Sequence, residues 1–497
     1  MAVLGTKSFQ NYVGGEWVDA AGGETFESVS PSTGEAIGTF PKSGPEDVDR
    51  AVDAAKADFE EWRLVPAPKR GEILFRFAQL LADRKDEVAD LMSREMGKVL
   101  AEAGGDVQEA IDMSFYMAGE GRRLFGQTTP SELKDKFNMS VRMPIGVVGA
   151  ITPWNFPIAI PSWKIAPAIV CGNTVVFKPA TDTPLLGERF VELLDEAGLP
   201  KGVVNVVHGG GGAVGDRLVR HPDVPVITLT GSRETGVEVM RNAAEGLKHV
   251  HLELGGKNAI VVLDDADLDL AVEGILWSAF GTSGQRCTAA SRVIVHEAVY
   301  DAVQSRLVAS AERMRLGPGW EPDTDVGPVI NERALEKIHS YTQIGKDEGA
   351  RLLTGGEVAT GNGLDRGWFY RPTIFGDVDP GMRIAQEEIF GPTTALIRVR
   401  DADEAIRVAN GVRFGLSSSI FTRDVNTAFR AMRDLQTGIT YVNAGTIGAE
   451  VHLPFGGTKD TGNGHREAGQ AALDVFTEWK SIYVDYSGRL QRAQIDA

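Results

Sequence analysis

Gly146-Val-Val-Gly-Ala-Ile151 opens the part of the sequence that decides the fold, because apolar strand patterns and helical patterns alternate from this point onward. Further strands rich in β-branched residues are predicted at residues 174–177, 203–207 and 226–229. The helical patterns that follow the strands lie at residues 158–170, 184–197, 213–219 and 234–244. This alternation predicts a parallel, doubly wound α/β sheet with helices on both faces.

The rest of the chain is arranged around this unit. A small hairpin is predicted at residues 11–18, and amphipathic helices between residues 43 and 124 are expected to pack as a layer on another element. From about Asn258 to Gly457 a second unit of the same α/β kind follows. Its clearest predicted elements are two strands and a helix, at residues 259–262, 292–296 and 300–314.

The sequence is therefore predicted to contain two doubly wound α/β domains and a small β element. The first domain takes residues 1–125 and 145–255, and the second takes residues 256–460. The remaining segments, 126–144 and 470–497, carry strand-like runs with no obvious core to join. We expect each of these strands to pair elsewhere, for example in a sheet of another subunit.

Composition restricts the class of protein. The formal net charge of −18 argues against a nucleic-acid partner, since phosphate binding needs a basic face. The first ten residues lack a signal-peptide core, and no run is apolar enough to span a membrane, so no membrane partner is expected. The two cysteines form no CxxC pair, so neither a disulfide framework nor a metal site is predicted, and a reducing cytoplasm fits best. Cys171, in an apolar run, is predicted to be core.

Cys287 lies in a polar, glycine-rich turn, Phe280-Gly-Thr-Ser-Gly-Gln-Arg-Cys287-Thr-Ala-Ala290. A cysteine attacks as a thiolate, so its pKa must be lowered by nearby positive charge, and Arg286 directly precedes it. Gly281 and Gly284 let the backbone approach a bound molecule. These neighbours favour an exposed, reactive cysteine over the alternative, a buried structural cysteine.

Two glycine-rich turns follow consecutive predicted strands, at residues 209–212 and 230–236. Doubly wound sheets bind ligands at the carboxyl ends of their strands. The second turn also precedes a helix whose N-terminal amides could hold a phosphate. Neither turn has the GxGxxG dinucleotide pattern, so an ordinary left-handed turn is the alternative for both.

Short motifs in a fixed order extend over nearly the whole chain. They are Thr152-Pro-Trp-Asn155-Phe-Pro157, Phe177-Lys178-Pro-Ala180, Leu252-Glu253-Leu-Gly-Gly-Lys257, Gly284-Gln-Arg-Cys287, Glu387-Glu388-Ile-Phe390-Gly-Pro392, Tyr441-Val-Asn443 and Pro454-Phe-Gly-Gly457. In this order they closely resemble the aldehyde dehydrogenase superfamily. The resemblance implies two Rossmann-type α/β domains with a small β oligomerisation element. It also implies an enzyme that oxidises an aldehyde to a carboxylic acid with NAD(P)+.

The resemblance implies three catalytic residues, and their chemistry suits this reaction. A Cys287 thiolate adds to the aldehyde carbonyl and forms a thiohemiacetal. The Asn155 amide and the Cys287 backbone N–H face the resulting oxyanion. After hydride leaves and a thioester forms, Glu253 deprotonates the hydrolytic water. The alternatives are that Asn155 only caps the following helix and that Glu253 is a satisfied structural carboxylate.

Cofactor contacts are carried over from the resemblance, and no metal is among them. They run from the adenosine ribose through the pyrophosphate to the nicotinamide, in the order Lys178, Gly231 with Ser232, and Glu388 with Phe390. Further cofactor contacts are expected from Thr152, Trp154, Ala180, Gly211 and Gly215.

Thr181 departs from the family's pattern. NAD-preferring relatives often place a glutamate three residues after the lysine, where its carboxylate binds ribose hydroxyls and would repel a 2′-phosphate. Threonine removes that repulsion, so we expect the cofactor to be NAD or NADP, with tolerance of or preference for NADP.

Substrate contacts are expected from side chains beside the thiol and in the loop near residue 450, namely Phe156, Arg286, Thr288, Glu450, His452 and Phe455. Arg286 and the polar Glu450-Val-His452 indicate an anionic aldehyde, such as 2-oxoglutarate semialdehyde or aminoadipate semialdehyde. The alternative is that Arg286 only packs through its stem. The tail Gly462-Asn-Gly-His465-Arg466-Glu467 has one residue more than the family's Gly-x-Gly-Arg-Glu, which puts a proton-relay role for Glu467 in doubt.

Two other functions remain open. A coenzyme A-acylating dehydrogenase typically lacks the base that Glu253 would provide. A non-enzymatic nucleotide-binding relative would not need Cys287, Asn155 and Glu253 together. The resemblance also implies a homodimer or a homotetramer with a small-molecule aldehyde as substrate.

Overall fold

A computed structural model describes residues 7–495 of the chain. Its strands, numbered in chain order, are β1 (Asn11–Val13), β2 (Glu16–Val18), β3 (Thr25–Val29), β4 (Ala36–Pro41), β5 (Gln127–Thr129), β6 (Lys136–Pro144), β7 (Val147–Ile151), β8 (Thr174–Lys178), β9 (Val204–Val206), β10 (Val226–Thr230), β11 (His249–Glu253), β12 (Asn258–Val262), β13 (Ala290–His296), β14 (Arg351–Thr354), β15 (Thr373–Gly376), β16 (Thr393–Val399), β17 (Phe414–Gly415), β18 (Ser417–Phe421), β19 (Ile439–Val442), β20 (Thr458–Lys459) and β21 (Thr477–Asp485).

The α-helices of the same residues are α1 (Pro45–Trp62), α2 (Ala67–Asp83), α3 (Lys85–Glu95), α4 (Leu100–Glu120), α5 (Ala159–Cys171), α6 (Pro184–Glu196), α7 (Asp216–Arg220), α8 (Arg233–Ala244), α9 (Leu268–Phe280), α10 (Glu297–Ala311), α11 (Glu332–Asp347), α12 (Arg383–Gln386), α13 (Ala402–Asn410), α14 (Val425–Asp434) and α15 (Ala472–Val475). A π-helical turn, Gly211–Gly215, precedes α7, and 3₁₀ turns lie at Gly281–Gly284 and Leu364–Arg366.

Seven strands form the first sheet, in the order β11-β10-β7-β8-β9-β1-β2. The five strands from β11 to β9 are parallel, and the hairpin of β1 and β2 joins β9 antiparallel. Apolar residues of α2, α4, α5 and α6 cover one face, and those of α1, α7 and α8 cover the other. Burial on both faces explains why these strands are nearly continuous apolar runs. The predicted doubly wound sheet is confirmed.

A second sheet of seven strands has the order β14-β15-β16-β13-β12-β18-β19. Its strands are parallel except β14, which pairs antiparallel with β15. Helices α9 and α10 cover one face, and α11, α13 and α14 cover the other. The chain passes from the first sheet to the second between β11 and β12. The residues that line the cavity described below come mainly from the carboxyl ends of strands in the first sheet and from segments that precede β13 and β16 in the second.

A third sheet has three strands, in the order β21-β6-β5. The two strands without an obvious core pair with each other, and their contact with another subunit stays a prediction. Strand β21 lies antiparallel to β6 over nine residue pairs, from Thr477 opposite Pro144 to Asp485 opposite Lys136. The two strands are far apart in sequence, yet they are paired along the whole length of both.

Two expectations concerned the ends of the chain and the membrane. Residues 1–6, which belong to the N-terminal segment considered for a signal peptide, lie outside the described residues, as do residues 496 and 497. Across residues 7–495, no helix is both long enough and apolar enough to cross a membrane.

Candidate active site

A cavity of about 230 Å³ lies where the two large sheets face each other. Seven of the residues singled out in the sequence line it together: Trp154, Asn155, Gly231, Ser232, Cys287, Glu388 and Phe390. They come from the loop after β7, the loop after β10, the turn before β13 and the loop after α12. Lys337 on α11 also lines the cavity, and sequence reasoning missed it because no motif marks it in an amphipathic, charged helix.

The backbone that presents Cys287 is strained. Thr282 and Ser283 adopt the left-handed conformation, with φ of 52° and 54°, which non-glycine residues rarely do. Both carboxylate oxygens of Glu102, on α4, accept hydrogen bonds from the Thr282 N–H at 3.0 and 2.8 Å. Gly284 is required, since a Cβ there would lie 2.1 Å from the Gly391 carbonyl oxygen. A carboxylate from the other domain therefore holds the turn.

The Cys287 thiol is not the exposed, low-pKa group that the sequence suggested. Burial raises the pKa of Cys287, and the nearby charges of Glu253 and Glu388 raise it further. Arg286 does not offset this, because its guanidinium lies 3.2 Å from Glu102 Oε1 and its Nε donates to Thr282 Oγ1 at 2.9 Å. The expected activating role of Arg286 is therefore wrong. Cys171 is buried, as predicted, and both cysteines are free.

Asn155 lies in the loop between β7 and α5. Its buried Nδ2 donates a hydrogen bond of 3.1 Å to the carbonyl of Gln285, two residues before the nucleophile. The alternative role as a helix cap is not realised, since Ile158 occupies the N-cap of α5 and no side chain caps that end. The amide is thus directed at the nucleophile turn.

Glu253 ends β11 and is buried, yet neither of its carboxylate oxygens has a hydrogen-bond partner among residues 7–495. It is therefore not the satisfied structural carboxylate of the alternative interpretation. Burial raises the pKa of Glu253 well above its ordinary value, and the charge of Glu467 raises it further. A general base for water needs such a raised pKa.

A buried polar cluster adjoins Glu253, and no motif predicted it. Glu467 forms a buried ion pair with Lys164 on α5, and His251 on β11 lies between Glu467 and Glu253. Despite the extra residue in its loop, Glu467 remains next to the site, because its backbone pairs with Phe455 and Gly462 pairs with Glu253. The extra residue therefore does not move Glu467 away from the site.

The cofactor-side residues form a groove with the features that a dinucleotide needs. Ser232 caps α8, its Oγ accepting from the Thr235 N–H at 3.2 Å, and because Ser232 also lines the cavity, the N-terminal end of that helix lies beside it. Glu388 Oε1 accepts from the Gly256 N–H at 2.9 Å. The rings of Trp154 and Phe390 meet edge to face with centroids 5.5 Å apart. These groups suit a phosphate, a ribose and an aromatic ring in that order.

Further predicted cofactor residues lie at and after the end of β8. Lys178 is buried, and burial lowers its pKa to about 8. Thr152 donates its N–H to the Lys178 carbonyl at 3.2 Å. A Cβ at Gly215 would lie 3.7 Å from Lys178 Cδ, whereas one at Gly211 would meet no described atom within 4 Å. Beyond the lysine, Ala180 is buried and Thr181 is exposed. Gly211 therefore faces open space, and Gly215 lies against the Lys178 side chain.

The predicted substrate residues fall into two groups. Phe156 is close to the nucleophile turn and lies between Lys98 Nζ, 3.6 Å from its ring centroid, and the Arg286 guanidinium, 5.5 Å away. Thr288 is buried, with its carbonyl accepting from Thr446 Oγ1. Because the charge of Arg286 is balanced by Glu102, Arg286 offers no free cation.

The second group lies on the loop after β19. Glu450 and His452 are exposed and face each other, with 3.2 Å between Glu450 Oε2 and His452 Nε2. Phe455 packs edge to face on Trp163, with ring centroids 4.9 Å apart. The structure does not bring Glu450 or His452 into the cavity that Cys287 lines.

Known proteins resemble this chain over its whole length. The aldehyde dehydrogenase family model matches residues 17–482. The chain is 42% identical to alpha-ketoglutaric semialdehyde dehydrogenase of Bacillus subtilis, covering 96% of this chain and 98% of the relative. It is 44% identical to alpha-ketoglutarate semialdehyde dehydrogenase of Haloferax volcanii, covering 97% and 100%. It is 39% identical to the NADP(+) succinate-semialdehyde dehydrogenase GabD of Escherichia coli, covering 96% and 97%.

The fold agrees with these matches. A crystal structure of betaine aldehyde dehydrogenase from Staphylococcus aureus in complex with NAD+ superposes with a TM-score of 0.95 at 36% identity, covering 97% of this chain and 95% of that chain. The resemblance inferred from the ordered motifs is confirmed. The chain belongs to the aldehyde dehydrogenase family and is an NAD(P)-dependent enzyme that oxidises an aldehyde to a carboxylic acid.

Proposed function

We propose that Cys287 is the nucleophile, that Asn155 faces the oxyanion, that Glu253 activates the hydrolytic water, and that the substrate is a semialdehyde acid. The observation that carries this proposal is the shared cavity. The Cys287 thiol and the Asn155 amide line the same space as Gly231, Glu388 and Phe390. An aldehyde carbon beside the thiol would therefore lie next to the ring end of a bound dinucleotide.

Cys287 gives up its thiol proton to solvent water as its Sγ bonds to the aldehyde carbon, the carbonyl π bond breaks, and negative charge develops on the former carbonyl oxygen. The Asn155 amide donates to the Gln285 carbonyl, in the turn that presents Cys287. It would rotate from there toward the oxyanion. A donor of this kind contributes about 3 to 4 kcal/mol in other enzymes. When bound, the nicotinamide ring accepts the hydride that leaves the same carbon.

The thioester that remains on Cys287 is then hydrolysed. Glu253 takes a proton from water, the hydroxide adds to the thioester carbonyl, and the C–S bond breaks to release the acid while the proton returns from Glu253 to the Cys287 sulfur. The buried carboxylate supports this role, since within residues 7–495 no hydrogen-bond partner occupies its oxygens. Its presence also disfavours transfer of the acyl group to coenzyme A.

The substrate class is supported by the relatives, two of which are named for alpha-ketoglutarate semialdehyde and one for succinate semialdehyde. Arg286 does not support it, because its guanidinium is already paired. The exposed Thr181 supports use of NADP as well as NAD. We further propose a cytoplasmic homodimer or homotetramer whose subunits meet through the β5-β6-β21 sheet.

A panel of aldehydes assayed with NAD and with NADP tests this proposal. We expect the highest kcat/KM for dicarboxylic semialdehydes, the free acid as product with or without coenzyme A, and no turnover by Cys287→Ala. Thr181→Glu should reduce efficiency with NADP relative to NAD by about tenfold, a change of about 1.4 kcal/mol. Thr360→Glu, which adds the same charge at an exposed loop position, is the control. A higher kcat/KM for simple aliphatic aldehydes would contradict the substrate class.

A further inference from the structure

His251 is a buried histidine that the proposed reaction does not use. It lies on β11 two residues before Glu253, so both side chains project from the same face of the strand. Its Nε2 lies 3.6 Å from Glu253 Oε1. Among residues 7–495, neither this nitrogen nor either carboxylate oxygen of Glu253 has a hydrogen-bond partner. Buried polar groups left without partners are uncommon, and these two face each other.

A threonine holds the other ring nitrogen. Thr228 Oγ1, on the neighbouring strand β10, lies 3.0 Å from His251 Nδ1 and accepts a 3.0 Å hydrogen bond from Lys164 Nζ. Among residues 7–495 this hydroxyl has no other hydrogen-bond partner, so Nδ1 is the acceptor available for its hydrogen. Since Nδ1 accepts, the hydrogen of a neutral ring lies on Nε2, which faces Glu253.

The ring is neutral. Burial lowers the pKa of His251 well below its ordinary value, and the charges of Lys164, His465 and Arg466 lower it further. Glu467 Oε1, 3.5 Å from Nδ1, does not reverse this, because it already accepts from Lys164. His251 is therefore an uncharged hydrogen-bond donor beside the proposed base.

We propose that His251 is a positioning residue for Glu253. The Nε2–H of His251 holds the Glu253 carboxylate at the end of a hydrogen-bond chain that runs from Lys164 through Thr228. The inference rests on the proposed role of Glu253 as the base. The 3.6 Å separation exceeds a formed hydrogen bond. A small rotation of the Glu253 carboxylate closes it, and such bonds often tighten only when substrate is bound. One oxygen is then fixed and the other is free to face the water.

This contact also tunes the base. A donor to a carboxylate favours its charged form. It therefore acts with Lys164 and Arg466, which lower the pKa of Glu253, and against burial and the charge of Glu467, which raise it. Loss of His251 raises that pKa and leaves less carboxylate at neutral pH. Thioester hydrolysis slows, whereas hydride transfer, which does not involve Glu253, keeps its rate.

His251→Phe tests the inference, since it removes both nitrogens and retains a planar ring. We expect a full initial burst of reduced cofactor, a steady-state kcat about tenfold lower at neutral pH, and an acidic limb of the kcat profile moved to higher pH. His251→Gln, whose amide N–H can take the place of Nε2–H, should restore part of both. Thr228→Val, which leaves the ring but releases Nδ1, should shift the profile less and in the same direction.

His221→Phe, at another buried histidine, is the control for stability. It should lower stability and leave the pH profile of kcat unchanged. A wild-type pH profile in His251→Phe would overturn the inference, and so would loss of the burst or a His251→Gln variant with no recovery. Glu253→Gln separates the two proposals. If it hydrolyses the thioester at the wild-type rate, the role of Glu253 as base is wrong. If it does not, and His251→Phe does, only the present inference is wrong.

Discussion

The thiol of Cys287 lies in a partly buried site, and carboxylates are the charged groups that act most strongly on it. Burial raises its pKa, and the charges of Glu253, Glu388 and Glu109 act in the same direction. Reactivity must therefore come from placement of the aldehyde and from stabilisation of the oxyanion, more than from a standing thiolate. Asn155, directed at the same turn, is the residue through which that stabilisation would act.

This environment predicts the pH dependence of alkylation. An ordinary thiol, with a pKa of about 8.5, reacts with iodoacetamide at a rate that levels off above that pH. Because the pKa of Cys287 is raised, we expect the rate for the cofactor-free enzyme to keep rising with pH beyond this point. Mass spectrometry of the modified peptide measures it, with Cys287→Ser as the background for Cys171. A rate that is constant from pH 7 upward would contradict the prediction.

At the scale of elements, the turn between α9 and β13 depends on α4. Glu102 binds the Thr282 N–H and the Arg286 guanidinium, so a helix that covers the first sheet holds the turn that presents the nucleophile. Arg286 also packs between the rings of Phe156 and Trp277, with distances of 5.5 and 5.1 Å to their centroids. The arginine is therefore part of the structure of the turn.

Arg286→Ala should destabilise this turn without changing substrate preference. It leaves Glu102 buried without its cation, which costs about 3 kcal/mol in comparable buried pairs. We expect a lower melting temperature and an unchanged ratio of KM values for charged and uncharged aldehydes. Arg286→Lys should recover part of the stability, and the exposed Arg313→Ala should change neither quantity. A ratio shifted against charged aldehydes would restore Arg286 as a substrate contact.

At the scale of the whole molecule, the three-stranded sheet leaves apolar side chains exposed. Phe137 on β6 and Val484 on β21 are directly opposite and 46% and 45% exposed, and Tyr483 is 67% exposed. The outer edge of β21 also lacks a strand partner among residues 7–495. A long edge strand with apolar neighbours is a surface that natural proteins normally cover.

Val484→Glu should therefore weaken the proposed assembly. The added charge lies on an exposed strand, so the fold of the subunit should be retained while an apolar contact between subunits is lost. Light scattering coupled to size exclusion should show smaller particles than the wild type, with unchanged circular dichroism. Leu64→Glu, at an apolar residue that is 70% exposed outside this sheet, is the control. An unchanged mass for Val484→Glu would place the interface elsewhere.

Local sequence was sufficient for the repeated sheet and for the family. Strands such as Val147–Ile151 are buried on both faces and so are continuous apolar runs. The motifs around Asn155, Glu253 and Cys287 are also local, because each places one reactive group on a turn or a strand end.

Other features were decided only by tertiary structure. The Lys164–Thr228–His251 chain joins α5, β10 and β11, and no short motif records three separate elements that meet in space. The pairing of Arg286 with Glu102 and of β21 with β6 is equally non-local. Burial that only the folded chain creates, and not the neighbouring residues in sequence, raised the pKa values of Cys287 and Glu253.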